Sequence, residues 1–369
     1  MSGIAKYSTP ESRWAGVGPY YAMFPTSFAD EVISKYSKPG DVVLDPLAGR
    51  GTSVYSAFTH DRVGIGIELN PVGWIYGKAK LRPAPDPAVR KRLIGISRLS
   101  PTFRSEAAGL PRFFHKCFSP PVLRFLLSAR TSLNWKGSQV DRTAMALVLI
   151  NLHGKYRQSL SNQMRQTKAM SPLYALRWWA EHKLEPPDID PLAFLLKRLE
   201  WRYKKGRPTG RQSYFFLGDC IQKMNSVAAL IQERKLRSVD LLFTSPPYYG
   251  ITNYHYDQWL RLWVLGGPPR PSRMDGPYRG KFENIEKYER LLRSVFMKSA
   301  PLLSRRAHIY VRTDSRKITY ETTTRILHEV FPKWNVDQTR RPVTGPTQTQ
   351  LFGNLPGEGG EIDIVVFRR

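Results

Sequence analysis

Residues 42–68 read VVLDPLAGRGTSVYSAFTHDRVGIGIE. The apolar run Val42, Val43 and Leu44 enters a turn containing Gly49 and Gly51, and a helical pattern follows the turn. Residues 63–67, VGIGI, then read as a buried parallel strand that ends in Glu68. A strand, a glycine-rich loop, a helix and a second strand make the opening unit of a doubly wound α/β sheet.

Upstream of it, residues 24–36 have the spacing of a helix. Alternation of strand and helix signals returns beyond residue 212. Strands are expected at 214–217, 239–243, 307–312 and 362–367, with helices at 285–303 and 320–331. Between these stretches the pattern is mainly helical, for example over 143–152 and 191–203. That middle block opens with the breaker RPAPDP and closes with the basic linker KKGRPTGR at 204–211. The economical division is residues 1–79, a helical insert over 80–211, and residues 212–369 completing the sheet.

The 369 residues carry 57 Lys and Arg against 30 Asp and Glu, a formal net charge of +27. A field of that sign concentrates polyanions. It is uneven: residues 80–215 hold 26 Lys and Arg against 8 Asp and Glu, or +18, and the remainder 31 against 22, or +9. Only Cys117 and Cys220 occur, in no CxxC or Cys/His spacing, so neither a zinc site nor a disulfide framework is signalled. No run approaches the roughly 18 apolar residues of a membrane span. A soluble, cytoplasmic protein without a metal site is expected.

Two loops carry chemistry. In DPLAGRGT, residues 45–52, the glycines let backbone approach a ligand, and the following helix offers unpaired N–H groups. The loop lacks the GK[ST] ending of a phosphate-gripping loop, and its leading acid would repel phosphate; a zwitterionic or cationic nucleoside suits it better. Glu68, ending the next strand, is placed to accept from ribose hydroxyls. The second loop, TSPPYY at 244–249, follows an apolar strand. Consecutive prolines fix the backbone and leave carbonyls unspent, Ser245 adds a hydroxyl and Tyr248 a ring. Such a slot can grip an exocyclic amino group and stack its base.

Together these motifs resemble the amino-methyltransferase family of S-adenosylmethionine-dependent DNA methyltransferases. GDVVLDPLAGRGT is similar to the family's cofactor motif, with Leu47 in place of the usual aromatic, and IGIELNP resembles its following acidic strand. GPYYAMFP at 18–25 resembles the segment that closes over the methionine end of the cofactor, and LGDC at 217–220 the strand whose Asp accompanies the adenine ring. The resemblance implies a Rossmann-like methyltransferase sheet. It assigns cofactor contacts to Tyr21, Phe24, Asp45, Pro46, Gly49, Gly51, Thr52, Glu68 and Asp219, and catalysis to Ser245, Pro246, Pro247 and Tyr248. TSPPY is the form the family mostly uses for cytosine N4; DPPY usually accompanies adenine N6. The cofactor motif precedes the catalytic motif, reversing the order of the commonest members with this tetrapeptide, and the insert falls before the GD strand.

The resemblance implies direct transfer to an amine of a base flipped out of double-stranded DNA, with no cysteine nucleophile, and a cognate restriction endonuclease as a candidate partner. In the insert, Arg157, Asn162, Gln163, Arg165 and Lys168 combine cations with amides able to read base edges and are candidates for DNA contact; a solvated helical face is the competing reading. Trp178, Trp179 and Trp201 are expected in the insert's core, with base-stacking platforms as the competing reading. Tyr254, Tyr256 and Trp259 either pack the next helix, shape the pocket or hold the vacated strand, and His255 beside Asp257 reads as a hydrogen-bonded structural residue, with a general base as the alternative. Adenine N6 methylation, RNA amine methylation and a catalytically silent nucleic-acid-binding module are the rival functions.

Overall fold

The computed structural model describes residues 7–19, 25–249, 254–272, 284–342 and 360–368. The chain divides into two compact units. One comprises Ala22–Gly77, Thr209–Asn253 and Asp275–Arg369; the other comprises Met1–Tyr21, Lys78–Pro208 and Tyr254–Met274.

The first unit is a seven-stranded sheet in the order β3-β2-β1-β4-β5-β7-β6. The strands are β1 (Val42–Asp45), β2 (Val63–Glu68), β3 (Tyr214–Leu217), β4 (Val239–Thr244), β5 (Leu303–Asp314), β6 (Asn335–Pro342) and β7 (Gly360–Phe367). β1 to β5 run parallel, while β7 lies antiparallel between β5 and β6. This is the Rossmann-like, doubly wound sheet that the sequence leads one to expect.

Its core follows from the two-residue period of the strands. Val42 and Leu44 face one side, with Ile65, Ile67, Leu242, Ile309 and Val311, under helices Cys220–Gln232, Ile285–Ser299 and Lys317–Val330. Val43 faces the other side with Leu241, Phe243 and Tyr310, against Phe28, Val32 and Ile33 of helix Thr26–Tyr36. Both faces are buried, which is why the central strands are continuously apolar.

Several boundaries move. The strand expected at 307–312 extends over Leu303–Asp314, and the helix from Ile285 stops at Ser299, where Pro301 imposes a short 3₁₀ turn. β6 has no counterpart among the expected strands. Its sequence NVDQTRRP is polar, and Asp337, Gln338, Thr339 and Arg340 are exposed on the outermost strand, so no apolar period marks it.

The second unit is helical. Helices Asp86–Leu99, Pro120–Ser132, Gln139–Asn151 and Pro191–Tyr203 pack mutually, around a core that includes Trp179, Trp259 and Trp263. Trp201, expected in that core, stands 39% exposed; Trp179 is buried and Trp178 half-buried. The 155–168 stretch is an irregular loop and not a helical face, because Gly154 and the left-handed Arg157 (φ 59°) interrupt any helix. No described helix is long and apolar enough to cross a membrane.

Candidate active site

β1 pairs with β4 on one side and β2 on the other, so the strand order reverses between β1 and β4. Such a reversal opens a crevice at the carboxyl ends of the strands. The register Val43 with Leu241 and Leu44 with Leu242 brings the loops following β1 and β4 side by side there. Those are the two loops that carry DPLAGRGT and TSPPYY.

The first loop is a wound turn. Gly49 (φ 54°) and Gly51 (φ 71°) adopt left-handed backbone, the Gly51 N–H donates to the Ala48 carbonyl at 2.7 Å, and helix Thr52–Thr59 begins at once. Gly51 is buried beneath the Phe215 ring of β3, where an added Cβ would stand 2.5 Å from Phe215 Cε2. The need for glycine at 51 is therefore met inside the protein, from β3. Thr52 and Pro46 are buried.

Asp45 is the tie between the loops. Its Oδ1 accepts from Thr244 Oγ1 at 2.9 Å and from the Leu47 N–H at 3.1 Å, and its Oδ2 accepts from Ser53 Oγ. The residue is 2% exposed. Burial pushes its pKa up to about 6, against the pull of the Ser53 and Thr244 hydroxyls and the Leu47 amide. Asp45 thus joins β1, its loop and the last residue of β4 in one hydrogen-bonded knot.

Two more acids mark the same edge. Glu68 ends β2, with one carboxylate oxygen accepting the Asn70 N–H at 2.7 Å. Asp219 follows β3 and caps helix Cys220–Gln232, accepting from the Ile221 N–H at 2.7 Å. Cys220, next to it, is buried, as expected of a packed residue. Arg50 donates from Nε to Thr52 Oγ1 at 3.2 Å, and burial lowers its pKa to about 10. Tyr21 and Phe24 lie outside the described residues.

In the second loop Ser245 is half-buried, and Pro246, Pro247 and Tyr248 are buried. The Tyr248 hydroxyl donates to Glu361 Oε1 at 3.3 Å. Glu361 belongs to a network that sequence reading missed. Arg312 of β5 makes a bidentate pair with its cross-strand partner Asp363 of β7 (Nε to Oδ1 2.7 Å, Nη2 to Oδ2 3.0 Å) and reaches Glu361 at 2.8 Å. Its guanidinium lies 3.3 Å from the centroid of Phe28. A fork shared by two carboxylates fixes direction as well as charge, so β5 and β7 hold the Tyr248 hydroxyl from below. Arg316, paired with Asp314 at 2.6 Å, donates to the Tyr249 carbonyl at 2.8 Å. The loop is clamped at Thr244, Tyr248 and Tyr249. The clue available in the sequence was the Glu361, Asp363 alternation on a strand opposite Arg312; nothing in it named the partner strand.

The proposed DNA residues lie in the helical unit, in different settings. Arg157 and Arg165 are exposed. Gln163 is half-buried, its Oε1 accepting the Tyr156 N–H at 2.5 Å. Lys168 pairs with buried Asp257 at 2.8 Å. Asn162 requires correction: it is fully buried, its amide donates to the carbonyls of Lys116 and Leu184 at 3.1 Å each, and its Oδ1 accepts the Gln163 N–H. An amide so engaged cannot read a base edge; it anchors the loop. Trp259 is buried and donates to the Met170 carbonyl, so it braces this loop from below, while the side chain of Tyr254 is outside the described residues. His255 bonds to Ser272 at 3.3 Å.

The stretch containing the first loop matches a known family model. Residues 3–72 match the DNA methylase family model of N6/N4 methyltransferases. The Type II methyltransferase M.Cfr9I of Citrobacter freundii is 46% identical over 54 residues, which are 15% of this chain and 18% of that relative. The matched part thus spans less than a fifth of the relative's length. Among solved structures, rRNA methyltransferase aviRa from Streptomyces viridochromogenes aligns over 97% of this chain and 92% of its own, at 16% identity and a TM-score of 0.33. A second structure of it gives 14% identity and a TM-score of 0.35, over 96% and 89%. Over residues 3–72 the chain is thus similar to the N6/N4 DNA methylase family, and over 54 residues to M.Cfr9I.

Proposed function

We propose that the chain methylates cytosine N4 in double-stranded DNA, with S-adenosylmethionine as methyl donor and the target base extruded from the duplex. The observation that carries this reading is the knot at Asp45, which sets the TSPPY loop beside the glycine-rich loop at the strand-order reversal. The site's chemistry suits the donor. Asp45, Glu68 and Asp219 stand at or just beyond the carboxyl ends of β1, β2 and β3, an acidic edge that favours hydroxyls and positive charge over phosphate.

When bound, S-adenosylmethionine supplies a methyl on a sulfonium for in-line displacement. The residues of this chain do the rest by position. Glu68 would accept from the cofactor's ribose hydroxyls, and the wound 46–51 backbone would lie against it. Ser245 Oγ and the Pro246 carbonyl accept from the target amino group, orienting its lone pair and stabilising the positive charge that grows on nitrogen. Tyr248, its hydroxyl fixed by Glu361, sets the ring plane against which the base rests. Extrusion costs a few kcal/mol, recovered by stacking and by contacts in the slot.

The basic helical unit is the nucleic-acid-binding part on this reading, and a cognate restriction endonuclease belongs to the same proposal. The test is transfer of label from the cofactor into duplex DNA. Ser245→Ala should slow transfer roughly 100-fold while leaving cofactor affinity unchanged. Transfer at the wild-type rate in that variant would remove the slot from the mechanism.

A further inference from the structure

The helical unit holds a cavity of about 1180 Å³, walled by the 154–171 loop, helix Pro172–Glu181 and helix Pro191–Tyr203. Its charged lining is Lys155, Arg165, Lys168, Arg198 and Arg202, and no acidic residue is among the described lining. Aromatic rings line the cavity as well. Tyr174 is 54% exposed and Trp201 39%.

The wall is built rigidly. Arg261, wholly buried, donates to the carbonyls of Leu149 and Gln166 and to Gln258 Oε1, at 3.0, 2.6 and 2.7 Å. Gln258 in turn donates to the Thr167 carbonyl, Trp179 Nε1 to the Gln163 carbonyl, and the Ala169 N–H to the Asp257 carbonyl. A loop whose carbonyls are taken up by buried donors keeps its shape before a ligand arrives, which lowers the entropy cost of binding. Trp201 is likewise held: Tyr7 meets its ring edge-on at 5.3 Å, and the guanidinium of Arg13 lies 4.6 Å from its centroid.

Charge and shape select the occupant. A cationic lining free of acids among the described residues suits phosphates. Reading a duplex through its major groove needs a projecting helix or ribbon, whereas this surface is concave. Fixed, partly exposed rings interleaved with cations are the means by which unpaired bases and their phosphates are held together.

We propose that this cavity binds unpaired nucleotides of a nucleic-acid strand, with bases against Trp201 and Tyr174 and phosphates against Lys155, Arg165 and Arg198. The inference rests on the helical unit being the nucleic-acid-binding part of the protein. It goes further in assigning that unit a single-strand site.

The experiment is fluorescence anisotropy of the full chain with a labelled oligothymidine of about 12 nucleotides, beside a blunt hairpin duplex. Trp201→Ala should weaken oligothymidine binding roughly 5- to 150-fold, the range that loss of one stacked base gives, and Trp201→Phe should restore most of it. Arg165→Glu, an exposed change that leaves the core intact, should weaken it too and shallow the salt dependence, which runs at about −0.7 per single-strand phosphate. An oligouridine of the same length separates RNA from DNA as the source; tighter binding of either supports the cavity. Undiminished oligothymidine affinity in both Trp201→Ala and Arg165→Glu overturns the inference, as does an equal loss for the hairpin. Failure of wild-type methyl transfer with this binding intact would sink the proposed activity and leave the cavity assignment standing.

Discussion

Replacing Asp45 by asparagine isolates the energetics of the knot that joins the two loops. Folding raises the pKa of this carboxyl from 3.8 to about 6, burial being the largest cause. An acid whose folded pKa exceeds its unfolded one binds more protons in the folded state. Stability therefore falls as pH rises from about 3.8 to about 6, and the loss is complete above that window. At about 1.4 kcal/mol per unit, the two pKa values correspond to roughly 3 kcal/mol over the whole titration, of which roughly 2 kcal/mol falls between pH 4 and pH 7. The substituted carboxamide cannot ionise, and its oxygen and N–H can still bond the Ser53 and Thr244 hydroxyls, which rotate to suit. Urea unfolding of wild type and Asp45→Asn at half-unit pH intervals gives the difference directly. The wild type should lose about 2 kcal/mol relative to the variant between pH 4 and pH 7, with most of the change between pH 4 and pH 6. Parallel stability curves for the two proteins would refute the reasoning, because the buried carboxyl would then be charged at no cost.

Other consequences are as direct. Gly51→Ala forces a side chain into left-handed backbone and against Phe215, so unfolding stability should fall by at least about 1–2 kcal/mol; Phe215→Leu in the same chain should return part of it, read by thermal denaturation. Tyr248→Phe gives up the bond to Glu361 while keeping the ring, so kcat for methyl transfer should drop about fivefold with KM little changed. Tyr248→Leu should fall much further, and equal kinetics for the two variants would remove the ring from the slot. Lys168→Ala leaves Asp257 buried without its ion pair and should lower stability by about 1–3 kcal/mol. Arg165→Ala, at an exposed site, should leave the melting temperature unchanged, and a matching loss in both would mean that Lys168 is not special.

The sheet is legible in the sequence wherever a strand is a plain apolar run, which burial on both faces forces in β1, β2 and β4 and which the half-buried edge strand β3 keeps as well. Val42–Asp45, Val63–Glu68, Tyr214–Leu217 and Val239–Thr244 lie where the pattern puts them, within a residue. β6 is not legible, because an edge strand buries little and its polar sequence looks like a loop. At the site, the glycine-rich and Pro-Pro loops stand out by residue type alone. What cannot be read is how they are supported. Arg312, Glu361 and Asp363 meet only because β7 runs antiparallel to β5, and the Phe215 ring reaches Gly51 only because β3 sits at the opposite edge, two strands from β1. Asn162 misleads for the same reason: an amide near cations looks like a base reader until the fold buries it against two carbonyls.

The central claim is the identity of the methylated atom. Duplex DNA incubated with the protein and isotopically labelled S-adenosylmethionine, digested to nucleosides and analysed by mass spectrometry, gives it in one measurement. The account predicts label in N4-methylcytosine; label only in N6-methyladenine, or in no nucleoside at all, would contradict it.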